Sequence, residues 1–148
     1  MVSLHQYSER DKPMPVFTID APAGVPQDAK HKMMREVTDA LHEAWPIPDT
    51  RGWLREYPAD NTSQDGRIQA EPVRPVCSLE APALPNLDVK RKLVQKIESA
   101  IAAAYDGIAN TDEVLVLINH YPLENVGWQG SLQSDKPEIV AAIAQLNQ

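Results

Sequence analysis

The chain alternates short β-prone runs with long amphipathic ones, and it does so twice in the same order. Val16 to Ile19 are β-prone and follow a polar start, which predicts a strand closed by Ala21-Pro22-Ala23-Gly24-Val25-Pro26. Ala29, Met33, Met34, Val37, Ala40, Leu41, Ala44 and Trp45 then recur at steps of three and four, the spacing of one helix face. Asp28 suits the N-cap or first turn of that helix. Pro46 and Pro48 end it, because neither can donate the next helical hydrogen bond. Trp53 to Tyr57 predict a second strand ending at Pro58. Residues 59–72 carry Asp, Asn, Ser, Gln, Gly and Pro, and predict a loop or hairpin with a linker.

The second half repeats the first at an offset of sixty. Met14-Pro15-Val16-Phe17-Thr18-Ile19-Asp20-Ala21-Pro22-Ala23 returns as Pro75-Val76-Cys77-Ser78-Leu79-Glu80-Ala81-Pro82-Ala83. A helix is predicted from Asp88 to Tyr105, with Val89, Leu93, Val94, Ile97, Ala100, Ile101, Ala104 and Tyr105 as its apolar face. Each lies sixty positions after an apolar residue of the first helix. Val114 to Ile118 form the continuous apolar run of a buried strand. Arg55-Glu56-Tyr57-Pro58-Ala59-Asp60-Asn61 then matches Asn119-His120-Tyr121-Pro122-Leu123-Glu124-Asn125, at an offset of sixty-four. Gly127-Trp128-Gln129-Gly130 predicts a turn or small hairpin, and residues 137–146 a short last helix.

A tandem duplication of a β-α-β unit accounts for this order. Each crossover makes its two strands parallel and is right-handed. The expected fold is therefore α/β: a four-stranded sheet with two helices on one face. Its opposite face needs cover from another subunit or from the tail. The expected division is a leader over 1–14, one domain over 15–136 (repeats 15–72 and 73–136), and a tail over 137–148.

Composition narrows the function. With 21 Asp+Glu against 14 Lys+Arg, and no basic run, nucleic acid is not the expected partner. No stretch approaches the ~18–20 apolar residues of a membrane span. The first thirteen residues lack the apolar centre of a signal peptide. The single cysteine, Cys77, fits a reducing cytoplasm. Its place in the repeat, opposite Phe17, reads as core packing. Histidines at 5, 31, 42 and 120 have no metal-ligand spacing, and there is no Gly-rich phosphate loop, so no cofactor is implied.

Three features together carry a resemblance: Met14-Pro15 opening the first strand, the duplication, and Pro122-Leu123-Glu124-Asn125-Val126-Gly127-Trp128 after the last strand. The pattern over residues 15 to about 130 resembles the tautomerase superfamily in its fused, two-unit form. That group includes relatives of 4-oxalocrotonate tautomerase and cis-3-chloroacrylic acid dehalogenase. The resemblance implies a homotrimer with the open sheet faces turned inward. It also implies isomerase chemistry on a small 2-oxo or 2-hydroxy-enoic acid. An N-terminal proline serves there as a secondary amine that moves a proton, since an α-amino group titrates near ~8.

Carried over residue by residue, the resemblance makes Pro15 the catalytic amine. Arg51 and Arg55, on one face of the second strand, become carboxylate ligands. His42, late in the first helix, becomes a second catalytic group. The resemblance also has gaps. An arginine that the family places after the first strand corresponds to Val25. The dehalogenase's arginine pair corresponds to Ala81-Pro82-Ala83-Leu84-Pro85, and its tyrosine falls near Leu117, with Glu124 a loose counterpart of its late glutamate. These gaps argue against dehalogenation. The leader matters most. With residues 1–14 attached, Pro15 nitrogen is an amide and not basic; a chain beginning at Pro15 has the free amine. The first case implies a non-catalytic trimer and the second an enzyme. A third reading keeps the pocket and uses His42 or Tyr121 as the acid–base group. Any site is expected at the first copy, because the second has Ala102 where the first has His42.

Overall fold

The computed structural model describes residues 15–46, 49–68 and 73–148. The leader over 1–14, Pro48, and residues 69–72 of the expected linker lie outside the described residues. Strand β1 (Val16–Pro22) leads to helix α1 (Gln27–Ala44) and strand β2 (Arg51–Tyr57). A 3-10 turn over Ala59–Asn61 and a hairpin of β3 (Ser63–Gln64) and β4 (Arg67–Ile68) follow. The second unit repeats the order as β5 (Val76–Ala81), α2 (Leu87–Tyr105) and β6 (Leu115–His120). It then adds a 3-10 turn over Leu123–Asn125 and a hairpin of β7 (Gly127–Trp128) and β8 (Ser131–Leu132). A 3-10 turn over Gln133–Asp135 leads into α3 (Pro137–Leu146).

The main sheet has the order β2-β1-β5-β6. Pairing is parallel within each unit, as a crossover demands, and antiparallel between β1 and β5. Both elements that precede β2 and β6 are helices on one face, so the strands alternate cleanly. Phe17, Ile19 and Ala21 of β1 and Cys77, Leu79 and Ala81 of β5 are buried under α1 and α2. Met33, Val37 and Leu41 come down from α1, and Leu93, Ile97 and Ile101 from α2. The opposite face leaves Trp53 51%, Leu115 42% and Leu117 44% exposed in the isolated chain. The tail is helical: Ile139 and Ile143 of α3 are buried, and Leu146 packs against the main core.

Local chemistry explains where the elements begin and turn. Asn86 caps α2, its Oδ1 accepting from the backbone N–H groups of Asp88 at 3.0 Å and Val89 at 3.3 Å. At α1 the cap position is Pro26, which has no side-chain acceptor, and Asp28 sits in the first turn beside the positive end of the helix dipole. The two hairpins turn at Asp65-Gly66 and Gln129-Gly130, where all four residues have positive φ. Two consecutive left-handed residues make the turn whose twist suits a two-residue hairpin.

The repeats differ by a compensating volume exchange. Phe17 stands opposite Gly52, and a Cβ built on Gly52 would lie 2.1 Å from the Phe17 ring. In the second unit the same two places hold Cys77 and Val116. One unit uses a large residue on the first strand and none on the second; the other uses two of middling size. Gly52→Ala is therefore expected to destabilise the chain by about 1–3 kcal/mol through overpacking. Adding Phe17→Cys to Gly52→Val should restore stability relative to Gly52→Val alone. Denaturant unfolding checks both, and a neutral Gly52→Ala would show that the ring moves aside freely.

Candidate active site at the start of the first strand

Antiparallel pairing of β1 and β5 sets the N-terminal end of one repeat beside the C-terminal end of the other. Val16 pairs with Glu80 on one side and with Arg51 on the other. Pro15, buried just ahead of β1, accepts a hydrogen bond on its carbonyl from the Arg51 backbone N–H at 3.3 Å. Ala81 pairs with His120, which brings the end of β6 and the hairpin after it to the same place.

A cavity of about 440 Å³ opens here, on the face of the sheet away from the helices. Val16, Arg51, Trp53, Glu80, Tyr121 and Asn125 line it, with Val126, Gly127, Trp128 and Gln133 from the following turns. The Arg51 guanidinium lies over the Trp128 ring, 5.1 Å from its centroid, and forms a 3.6 Å ion pair with Asp49. Its side chain remains about half exposed. Asn119 donates to Glu80 at 3.2 Å. Burial, and secondarily the Glu80 carboxylate, push the Tyr121 phenol well above the usual range, so it stays protonated at neutral pH. The site thus combines one guanidinium for an anion, a neutral phenol and an aromatic wall. Volumes of this order hold small organic acids.

The other two expected site residues, Arg55 and His42, lie away from this cavity. Arg55 shares a face with Arg51 but stands four positions along β2, about 13 Å away at ~3.3 Å per residue. Its guanidinium grips both oxygens of Asp20, at 2.8 and 2.9 Å, and Tyr57 donates to the same carboxylate at 2.8 Å. His42 stands half-buried in the last turn of α1, in the helix layer and not among the residues lining the cavity. Its Nε2 is buried with no hydrogen-bond partner among the described residues. Trp45, one turn on, donates to the Pro82 carbonyl at 3.2 Å and meets the His120 ring edge-on at 6.3 Å. Cys77 is buried, and its thiol is pushed up to about 12 by burial and, less, by Asp20. That leaves it protonated and poorly reactive.

The expectation that the first copy carries the site changes in one respect. Val16, Arg51 and Trp53 of the lining come from the first repeat, but Glu80, Tyr121, Trp128 and Gln133 come from the second. Pseudo-symmetry generates a related end around Pro75. It has a smaller cavity of about 220 Å³, lined in part by Asp20, Tyr57, Asn61 and Arg74. There Leu115 takes the position of Arg51, and Arg55 occupies the carboxylate that corresponds to Glu80.

No family model and no curated protein matches the chain. Solved structures do. A wild-type fused 4-OT determined as an asymmetric trimer superposes with a TM-score of 0.72 at 23% identity, over 82% of this chain and 98% of that one. The native fused 4-OT crystal structure gives 0.72 at 24% identity over the same shares of each chain, 82% and 98%. The fold is that of fused 4-OT. Pt0534, solved after inactivation by 2-oxo-3-pentynoate, shares it at a TM-score of 0.69 and 19% identity, over 81% of this chain and 96% of that one. The fused 4-OT fold is a two-unit chain, which agrees with the duplication read from the sequence.

The Asp20 network carries a pH signature. The hydrogen bond Tyr57 donates to Asp20 is lost when the phenol ionises; that loss first, then desolvation, then repulsion by the Asp20 charge raise the Tyr57 pKa. Asp20→Asn is expected to bring the Tyr57 midpoint down toward the ordinary ~10, followed by NMR of ring-labelled tyrosine. A midpoint that does not move would break the assignment of this carboxylate as the cause.

Proposed function

We propose that the chain is a tautomerase-type isomerase of a small 2-oxo or 2-hydroxy-enoic acid, acting when Pro15 is the first residue. The observation that carries this reading is the cavity beside Pro15 with Arg51 in its wall. In the proposed reaction the Pro15 amine takes the proton of the 2-hydroxyl and returns it to carbon, leaving the 2-oxo acid. Arg51 holds the carboxylate and offsets the charge of the enolate. Tyr121 stays a neutral hydrogen-bond donor. Arg55, committed to Asp20, and His42, in the helix layer, do not touch substrate in this reading. An amine base must be unprotonated, so activity is expected to rise with pH as the Pro15 amine loses its proton, around the ordinary α-amino value of ~8.

The working unit is proposed to be a cytoplasmic homotrimer. Its support is the open sheet face with Trp53, Leu115 and Leu117 exposed, together with the trimeric assembly of the fused 4-OT structure. The buried thiol of Cys77 fits a reducing compartment. No helix among the described residues is long and apolar enough to cross a membrane. With residues 1–14 retained, Pro15 nitrogen is an amide, and the same trimer is then a non-catalytic protein.

The chain made to begin at Pro15 should ketonise simple enol 2-oxo acids and take up one equivalent of 2-oxo-3-pentynoate on the proline, read by mass spectrometry. Pro15→Ala should abolish labelling of the first residue and cut kcat/KM by at least ~100-fold. Arg51→Gln should raise KM about 10- to 100-fold, the value of a charge-assisted contact. Activity that survives Pro15→Ala would overturn the reading. Intact mass of the protein from its native host decides between the two forms. Leu117→Asp should dissociate the trimer in sedimentation, and an unchanged assembly would refute the proposed interface.

A further inference from the structure

Gln133 is the one polar side chain buried completely among the described residues, at 0% exposure. It lines the cavity beside Pro15. Neither its Oε1 nor its Nε2 has a hydrogen-bond partner among the described residues. The backbone around it is held firmly: its N–H donates to Val126 O at 2.9 Å, and its carbonyl accepts from Lys136 N–H at 3.1 Å. The backbone is thus held while the side-chain donor and acceptor stay unused. A buried amide without partners is less favourable than an apolar chain of the same shape. The structure is explained if something that enters the cavity supplies the partners.

We propose that Gln133 is a specificity-determining residue, binding a neutral hydroxyl or carboxamide on the substrate in addition to the carboxylate held by Arg51. This rests on the proposed role of the cavity. Its charge balance selects the chemistry of the second group. Arg51 is the cation in the wall and Glu80 the anion, so one carboxylate is matched and a second would meet Glu80. A carboxamide both donates and accepts, which suits a hydroxyl in either sense. Val16, Trp53 and Trp128 supply apolar wall for the carbon chain between. The ligand class is therefore a monocarboxylic 2-oxo acid bearing a neutral hydrogen-bonding group, and not a dicarboxylic one.

The test uses unreactive probes, so it does not depend on turnover. NMR titrations of the chain beginning at Pro15 compare 6-hydroxyhexanoate, heptanoate, in which a methyl replaces the hydroxyl, and adipate. The hydroxy acid should bind about 5- to 10-fold more tightly than heptanoate, and adipate most weakly. In Gln133→Leu the preference should vanish, with the affinity for heptanoate retained and the oligomer unchanged in sedimentation. In the intact chain the Gln133 side-chain amide resonance should shift with the hydroxy acid and not with heptanoate, a readout that needs no variant. Equal affinity for the two acids in the unaltered chain, equal loss of both in Gln133→Leu, or dissociation of the oligomer would each overturn the proposal. Arg51→Gln should weaken all three probes. If it does not, the carboxylate role of Arg51 fails, while the comparison of hydroxyl with methyl still reads Gln133.

Discussion

The antiparallel contact between β1 and β5 is the constraint on which the rest depends. It is the only sheet pairing between the two β-α-β units among the described residues, and it joins two half-sheets into one. Because it runs Val16 against Glu80 and Asp20 against Val76, each repeat's starting proline meets the other repeat's strand ends. Neither unit can complete a cavity by itself. The same contact places both helices side by side on one face, where Lys96 of α2 reaches Glu43 of α1 at the surface and small Ala40 and Ala100 are buried.

The two ends created by this pairing have diverged in charge. At the Pro75 end the Asp20 carboxylate is fully engaged by Arg55 and Tyr57, and the strand position that could offer a cation is Leu115. At the Pro15 end the cation is Arg51, stacked on Trp128 and half exposed to whatever enters. One end is consumed in structure, the other left with unused capacity. A surface ion pair such as Arg55–Asp20 contributes little net stability; each charge is met by the other.

Much of the fold was legible because hydrophobic periods are local. Steps of three and four placed α1 and α2 within a residue of their observed ends, and proline and glycine marked the turns. Duplication made each weak strand signal count twice. The candidate site was less legible. Arg51 is named by the resemblance, which places an arginine at the start of the second strand, and that strand opens beside Val16. Glu80, Trp128 and Gln133 are not legible as site residues, being sixty or more positions from Pro15, and Tyr121 enters only as an alternative acid–base group. The only available signal was that Glu80 and Tyr121 are the repeat counterparts of Asp20 and Tyr57. Arg55 was grouped with Arg51 because alternation tells which face a side chain takes but not which end of the strand serves the cavity.

By itself the sequence determined the units: two β-α-β segments, parallel strands within each, helices on a single face, and one exposed sheet surface. Those follow from backbone chirality and from apolar spacing, which act over a few residues. Tertiary structure decided the strand order, the antiparallel junction and so the company that Pro15 keeps. Strand order is a competition between long-range pairings of similar local strength. Here it is settled by the pairing of Val16–Asp20 with Val76–Glu80, which no one-dimensional pattern records.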